Sequence, residues 1–264
     1  MKITVFTSNQ PRHISLIEEL ATIADEVYAI QECNTVFPGQ VDDFFKKSEV
    51  MQQYFRHVIA AEQEVFGDIK FTSKNVSQLV LKSGDLNKLD MKTLSMALDS
   101  DYYIVFGSSF IKGPLCEFLV EKKAINIHMG VSPYYRGSSC NFWALYDGNP
   151  ELVGATIHML SKGLDSGDML FHAFPKAEAA DPFVIGMMAV RSAHNSLIEY
   201  IKSGYITELT PIKQNKTNEI RYTRNKDFTD EVAKEYLLKP PTPIEIKNKL
   251  EKRDLSQFLH PYIG

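Results

Sequence analysis

The first thirty residues alternate between short apolar runs and a helical repeat, and this alternation restricts the fold more than any other feature of the chain. The run KITVF predicts a short buried strand, and EVYAI, which ends near residue 30, predicts a second. Between them Leu16, Leu20 and Ile23 recur at the helical spacing i, i+4 and i+7. A strand, a helix and a strand in succession predict a parallel sheet with helices packed on it.

The same alternation continues along the chain. DYYIVFG and AINIH predict two further buried strands with a helix between them near residues 114–122, and ELVGATIHML and GDMLFHAF predict two strands joined by SKGLDS. Residues 182–203 predict a long helix, and residues 38–66 are mostly helical in pattern. SSCNFW opens another helix, with Ser138 or Ser139 expected as its cap. These elements predict an α/β fold: a Rossmann-like, open, twisted and mostly parallel sheet flanked by helices.

The composition changes after about residue 206. Residues 1–206 predict one α/β domain, whereas residues 207–264 contain the polar stretches TPIKQNKTNEI and KPPTPIEIKNKLEKRDL. We expect a small C-terminal extension there, made of a hairpin plus short helices. Its length of about 58 residues is near the lower limit for a self-standing core.

Charge and cysteine content exclude several classes of function. The net charge is -4 and no long basic run occurs, so nucleic acid is not expected as a partner. Cys33, Cys116 and Cys140 are odd in number and lie far apart, which predicts reduced thiols, no metal site and a cytoplasmic location. The apolar run at the N-terminus is too short for a signal peptide, and no 18-residue apolar run predicts a membrane span.

The segment AINIHMGVSPYYRG, residues 124–137, carries polar side chains where a buried strand ends. Asn126 and His128 are two positions apart, so they project from the same face at the carboxyl end of a parallel strand, where open α/β sheets place their sites. An amide donor beside an imidazole suits acyl transfer, because the amide can stabilise an oxyanion and the imidazole can handle protons. The alternative is that both side chains only cap a helix or satisfy loop backbone.

A second polar element, KGLDSGDML, lies in the turn between two predicted strands. A carboxylate from Asp165 near the imidazole would orient it and favour its protonated form. The order N-I-H, S-P-Y-Y-R-G, F-W-A-L, G-A-T-I-H-M-L and G-L-D-S-G-D resembles the folate-dependent formyltransferases. That family includes glycinamide ribonucleotide formyltransferase, methionyl-tRNA formyltransferase and the sugar-nucleotide N-formyltransferases. The resemblance is strong over residues 100–175 and general over residues 1–99.

The resemblance implies a reaction and a catalytic trio. The donor would be N10-formyltetrahydrofolate, the acceptor a primary amine, and no metal would be needed. Asn126 and protonated His128 would stabilise the oxyanion, and Asp165 would orient His128 and manage protons. The family's folate pocket corresponds to FGSSFIKG and LSKGLD, which implies cofactor contacts from Phe106, Ser108, Ser109, Phe110, Ile111, Leu160, Lys162 and Leu164.

Departures from the family pattern bear on the acceptor. Met129 and Gly130 replace the usual Pro and Ser, and the first loop lacks the glycine of glycinamide ribonucleotide enzymes. The tail is short for a methionyl-tRNA enzyme. The form of the loops is most like sugar-nucleotide N-formyltransferases of surface-polysaccharide (lipopolysaccharide O-antigen) biosynthesis, which act on nucleotide-linked amino-deoxysugars. Acceptor contacts are then expected from Asn9, Gln10, Arg12, His13, Tyr134, Tyr135, Arg136 and Trp143.

Alternatives of other classes stay open at this point. The chain could hydrolyse formyltetrahydrofolate, or bind folate without activity. The apolar side of residues 38–66 could pack on the sheet or form a homodimer interface.

Overall fold

A computed structural model describes residues 1–33 and 47–264. The strands are β1 (Lys2–Thr7), β2 (Glu26–Cys33), β3 (Val76–Lys82), β4 (Tyr102–Val105), β5 (Ile125–His128), β6 (Tyr135–Gly137), β7 (Ala155–Met159), β8 (Met169–Phe174), β9 (Arg221–Thr223) and β10 (Tyr262–Ile263). The helices are α1 (Pro11–Ala21), α2 (Glu49–Phe66), α3 (Gly113–Glu121), α4 (Cys140–Tyr146), α5 (Pro182–Ser203), α6 (Asp230–Leu238) and α7 (Pro243–Glu251). No helix of the described residues is long and apolar enough to cross a membrane.

Eight strands form one sheet in the order β10-β8-β7-β5-β4-β1-β2-β3. Within the described sheet β7 runs antiparallel to both of its neighbours, and the other pairs are parallel. The predicted mostly parallel α/β sheet is therefore confirmed. The carboxyl ends of β1, β4 and β5 meet at one edge, which is where such sheets place their sites.

Local signals account for the helix boundaries. The Asp181 side chain accepts a hydrogen bond from the Phe183 backbone amide at the start of α5, and Gly204 ends that helix with φ at 79°. Ser139 does occupy the cap position of α4, but its φ of 56° leaves its side chain without a capping hydrogen bond. The start of the predicted 38–66 helix lies outside the described residues, and α2 begins at Glu49. Its Tyr54 packs against the chain's own Phe183 at 5.2 Å between ring centroids.

Residues 207–264 share an apolar core with the rest of the chain. In this extension, strand β9 pairs in parallel with β6 rather than forming a hairpin, and β10 pairs with β8 of the main sheet. Five of its buried side chains join the apolar cluster around Phe142 and Trp143: Ala233, Tyr236, Ile246, Leu250 and Phe258. The extension therefore covers α4 and cannot be treated as a detachable tail.

An arginine clamp fastens β9 to α4. Arg221 donates to both carboxylate oxygens of Asp147, from Nε at 2.9 Å and from Nη2 at 2.6 Å. Its guanidinium also lies 4.5 Å from the centroid of the Trp143 ring. Lysine has neither the planar fork nor the flat face that this geometry uses.

We expect Arg221→Lys to lower the free energy of unfolding by about 1–2 kcal/mol, because it loses a bidentate bond and a cation–π contact. The melting temperature should fall by roughly 2–8 °C. Thermal melts of the variant beside Arg224→Lys, an exposed residue that directly follows the other end of β9, measure the effect. Equal melting temperatures for the two variants would contradict the clamp.

Candidate active site

Three polar side chains converge at the carboxyl end of β5. His128 Nδ1 lies 3.4 Å from Asp165 Oδ2, and Asn126 donates from Nδ2 to Asp165 Oδ1 at 3.3 Å. Asp165 comes from the turn between β7 and β8 and has a left-handed φ of 43°. Gly167 permits this tight turn, since a Cβ there would meet the Met159 carbonyl oxygen at 1.7 Å. The structure thus brings together the three residues that the sequence singled out.

His158 is a fourth member of this cluster. The antiparallel register places His158 opposite Asn126, whose Nδ2 lies 2.9 Å from His158 Nε2. Asp165 Oδ1 can only accept, so the Asn126 atom that faces it is the amide nitrogen. His158 Nε2 then accepts from the same amide, and its ring proton lies on Nδ1, which donates to the Met159 carbonyl at 2.8 Å. His158 therefore fixes the orientation of the Asn126 amide.

The electrostatics of the cluster favour a charged pair. Burial opposes a charge on His128, yet the neighbouring Cys140 sulfur and the Asp165 carboxylate outweigh it and raise the pKa of His128 to about 10. Burial likewise opposes a charge on Asp165, but the hydrogen bond and the charge of the His128 imidazolium hold the pKa of Asp165 well below the usual range. At neutral pH the pair is imidazolium and carboxylate.

Cys140 contacts the other side of the His128 ring. Its Sγ lies 3.6 Å from His128 Nε2 and 3.4 Å from the Gly137 carbonyl oxygen. Gly130 makes this approach possible, because a Cβ there would lie 2.4 Å from Cys140 Cβ and 2.8 Å from His128 Nε2. The Gly that replaces a family Ser thus has a steric reason in this chain.

A first cavity, of about 180 Å³, opens on one side of the cluster. Asn126, His158 and Asp165 line it, together with these predicted cofactor contacts: Ser108, Ser109, Phe110, Ile111, Leu160 and Leu164. Phe106 and Lys162 lie outside its described walls. Phe106 is buried beside His13, at 5.0 Å between ring centroids, and Lys162 reaches Glu117 at 3.2 Å on the surface.

A buried carboxylate holds the wall of the first cavity. Glu32, only 1% exposed, accepts backbone hydrogen bonds from Gly84 and Leu86 on one oxygen and from Ser109 on the other, the last at 2.7 Å. Asn87 adds a bond to the Phe110 carbonyl at 3.0 Å. The segment that begins at Gly84 thus braces the loop that lines the cavity.

We expect Glu32→Gln to lower the free energy of unfolding by about 1–3 kcal/mol, since its amide would face a buried backbone N–H with no acceptor to offer it. Amide hydrogen exchange should also speed up at Ser109 and Phe110. Exchange and urea unfolding of Glu32→Gln, with the exposed Glu26→Gln on the same strand as control, test this. Unchanged exchange at Ser109 would contradict it.

A second cavity, of about 350 Å³, lies beside Cys140, the residue that contacts His128 Nε2. Cys140 and Met129 face it, and its walls are largely apolar and aromatic: Tyr54, Phe55, Val58, Phe142, Leu145, Phe183, Met187, Val190, Phe228 and Tyr236. Its cation, Arg12, is already paired with the buried Glu62 at 2.8 Å. The cavity therefore suits a ligand part with apolar faces better than a bare anion.

Most of the expected acceptor contacts lie elsewhere. Arg12 lines the second cavity, whereas the other predicted positions lie outside the described walls of both cavities: Asn9, Gln10, His13, Tyr134, Tyr135, Arg136 and Trp143.

The surroundings of these residues explain why they do not line either cavity. Tyr135 and Trp143 are 1% and 3% exposed, so the flat surfaces expected for a sugar are covered by the protein. The Tyr135 hydroxyl binds Asp147 at 3.1 Å, and Arg136 pairs with Glu219 at 2.9 Å. The Tyr134 carbonyl accepts from two amides of the extension.

Residues in the loop before α1 and in its first turn also contact other parts of the protein. The Gln10 carbonyl accepts from the amides of His13 and Ile14, and the His13 ring is buried against Gly107. Asn9 lies between β1 and this helix.

The residues that sequence reasoning missed are His158, Cys140 and Glu32.

Comparison with known sequences gives one family match and several partial relatives. The family described as Formyl transferase matches residues 1–195. The methionyl-tRNA formyltransferase of Synechocystis sp. is 27% identical over 119 residues, which are 45% of this chain and 36% of that protein. The chain spans less than half the length of the methionyl-tRNA formyltransferases that it matches, from 16% to 40%.

Comparison with solved structures shows the same fold. A 4-N formyltransferase from Francisella tularensis has a TM-score of 0.53 at 18% identity, over 86% of this chain and 77% of that one. The formyltransferase PseJ from Anoxybacillus kamchatkensis, in complex with UDP-4,6-dideoxy-4-formamido-L-AltNAc and tetrahydrofolate, has a TM-score of 0.50 at 20% identity, over 95% and 97%.

Proposed function

The chain belongs to the formyl transferase family, and from that premise we propose that it moves a formyl group from N10-formyltetrahydrofolate to the amine of a nucleotide-linked amino-deoxysugar. One observation supports the proposal: the His128 ring contacts Asp165, which lines the first cavity, at its Nδ1, and Cys140, which lines the second cavity, at its Nε2. A transferase needs this arrangement, with a donor on one side of the catalytic groups and an acceptor on the other.

The first cavity fits the folate donor. Its wall is made largely of the backbone and small side chains of residues 107–111, and the hydroxyl oxygen of Ser109 is buried there without a partner. Such groups can bind the polar edge of a pterin, while Ile111 and Leu160 offer apolar surface. Bound there, the donor would supply the activated formyl group.

The trio performs the chemistry in this proposal. As the amine attacks the formyl carbon, negative charge develops on the formyl oxygen. The His128 imidazolium stabilises that charge, and the Asn126 amide does so when the N–H that reaches Asp165 at 3.3 Å turns to the formyl oxygen. Asp165 keeps His128 charged and oriented, and His158 keeps the Asn126 amide nitrogen directed at the site.

The second cavity supports an amino-deoxysugar as the acceptor. Aromatic rings such as Tyr54 and Phe142 suit the apolar faces and methyl group of a deoxysugar. The cation of Arg12 is paired with Glu62, so the cavity suits the sugar of the acceptor rather than its diphosphate. PseJ, which shares the fold, was solved with a formylated sugar nucleotide and tetrahydrofolate. Surface-polysaccharide synthesis would use such a product.

The test is tetrahydrofolate release from N10-formyltetrahydrofolate with a panel of amines. The panel contains UDP-, GDP- and dTDP-linked 3-amino and 4-amino sugars, glycinamide ribonucleotide, methionyl-tRNA and a control without amine. Fast release with a sugar nucleotide supports the proposal. Release only with one of the other amines, release without any amine, or no release at all would overturn it.

A further inference from the structure

A glutamine side chain from the C-terminal extension binds the turn that carries Asp165. Gln214 donates from Nε2 to two backbone carbonyl oxygens of that turn, those of Asp165 and Gly167, both at 2.9 Å. Carbonyl oxygens can only accept, so the atom that faces them is the amide nitrogen. The family match covers residues 1–195, so Gln214 lies outside it, and the reaction steps proposed above do not use this residue.

Backbone pairing brings Gln214 to the turn. Ile212 forms an antiparallel bridge with Met169, the first residue of β8, through two backbone hydrogen bonds of 2.7 and 2.8 Å. In an antiparallel register, two positions after Ile212 lie opposite two positions before Met169, which places Gln214 opposite Gly167. The segment that carries Gln214 is therefore fixed to the main sheet next to the turn.

The conformation of Asp165 requires such support. Its φ of 43° is left-handed, a region that residues other than glycine rarely adopt. A residue in this region keeps its conformation where the surrounding structure holds it. One of the carbonyls that Gln214 binds is that of Asp165 itself, so the bond restricts the ψ of Asp165 and the direction in which its side chain leaves the backbone. That side chain lies 3.4 Å from His128 Nδ1.

The Gln214 amide carries a cost at this position. Its Oε1 atom is buried without a hydrogen-bond partner among the described residues, and an unpaired buried oxygen disfavours folding. An apolar side chain of similar length would avoid that cost but could donate to neither carbonyl. The two donated hydrogen bonds are therefore what the glutamine supplies to the turn.

We propose that Gln214 is a positioning residue of the reaction, which acts through Asp165 by holding its carboxylate beside His128. This inference rests on the proposed formyl transfer. Gln214 lies outside the described walls of both cavities, so it acts on the turn and not on either substrate. Without its two bonds the carboxylate is held less closely, and the His128 imidazolium loses part of the charge that stabilises it.

The kinetic test uses Gln214→Met and Gln214→Glu, which keep the approximate length of the side chain and remove both donors. We expect kcat to fall by about 10- to 100-fold in each, because a displacement of about 1 Å at a catalytic group costs up to that much. The KM of the amine should stay within about threefold, since the acceptor cavity is untouched. Tetrahydrofolate release gives the rates, and circular dichroism establishes that the variants are folded.

The matched control for this test is the next residue along the chain. Asn215→Ala removes a side chain that accepts from the Thr217 amide and makes no contact with the turn, and it should keep the kcat of the wild type. A kcat within about threefold of the wild type in the folded Gln214 variants, or an equal fall in Asn215→Ala, would overturn the proposal.

A second measurement needs no substrate and separates this inference from the proposed function. NMR titration of the His128 ring, with its signal assigned by its loss in His128→Gln, should show a pKa lower by about one unit in Gln214→Met than in the wild type. Asn215→Ala should leave that titration unchanged. The same His128 pKa in Gln214→Met and wild type would refute the positioning role even in a protein that transfers formyl groups. Failure of the wild type with every amine would instead refute the proposed function, and the titration would still decide whether Gln214 positions Asp165.

Discussion

Replacing Asp165 by asparagine should lower the turnover of formyl transfer by about three orders of magnitude, because positioned acid–base and oxyanion groups each contribute factors of about 100 to 10,000 and 100 to 1,000. The carboxamide keeps the shape of the side chain but removes the charge that faces His128 Nδ1 at 3.4 Å. Without that charge the imidazolium is less stable at neutral pH. The Asn126 amide, which donates to the same carboxylate, also loses a fixed partner.

The control for this variant lies in the same turn. Asp168→Asn changes a carboxylate whose residue contributes its backbone carbonyl to the pairing of β7 and β8, and it should keep activity within a few-fold of the wild type. Tetrahydrofolate release gives the rates, and circular dichroism and melting temperature establish that both variants are folded. Activity of Asp165→Asn within tenfold of the wild type would remove Asp165 from the mechanism.

The sequence predicts well those elements whose signals are local. The helix over residues 182–203 appears as α5 with the same bounds, because Asp181, Pro182 and Gly204 mark its ends. The strand that carries Asn126 and His128 follows from its apolar pattern and from the order of motifs. Asp165 could be joined to them only through the resemblance in motif order, because β7 is antiparallel to β5 and the turn after Met159 leaves the sheet opposite Ile125, at the amino end of β5.

The sequence could not reveal contacts that depend on register or on distant segments. His158 sits inside an apolar strand pattern, and only the antiparallel register places it opposite Asn126. Glu32 is 77 positions from Ser109, and no local sequence pattern indicates the hydrogen bond between them. The sequence also could not predict that Trp143 is inaccessible to a ligand. The Arg221 guanidinium, which lies against its ring, comes from the distant C-terminal extension.

Replacing His128 by glutamine should have two effects with different dependence on pH. Turnover should fall by about a thousandfold, because glutamine offers hydrogen bonds but neither the positive charge nor the proton. Stability should fall by about 3–5 kcal/mol, the cost of removing one partner of a buried charged pair. The partly buried Asp165 carboxylate would be left facing a neutral amide.

The pH dependence of that stability loss follows from the direction of the shift. The pKa of His128 is raised from an ordinary value near 6.5 to about 10 in the folded protein. Its contribution to stability is therefore fully present below about pH 6.5 and disappears as the pH rises through about 10. The depressed pKa of Asp165 sets the lower limit, since its contribution is lost as the pH falls below the ordinary carboxyl value near 4.

The difference in unfolding free energy between wild type and His128→Gln should thus be largest between about pH 4 and 6.5 and should shrink steadily towards about pH 10. Urea unfolding at a series of pH values measures it. His57→Gln, on the exposed side of α2, provides the control and should show no such trend. A difference that stays constant from pH 6 to pH 10 would mean that His128 is held as a neutral ring. In that case the charge on the developing oxyanion would have to be stabilised by the Asn126 amide alone.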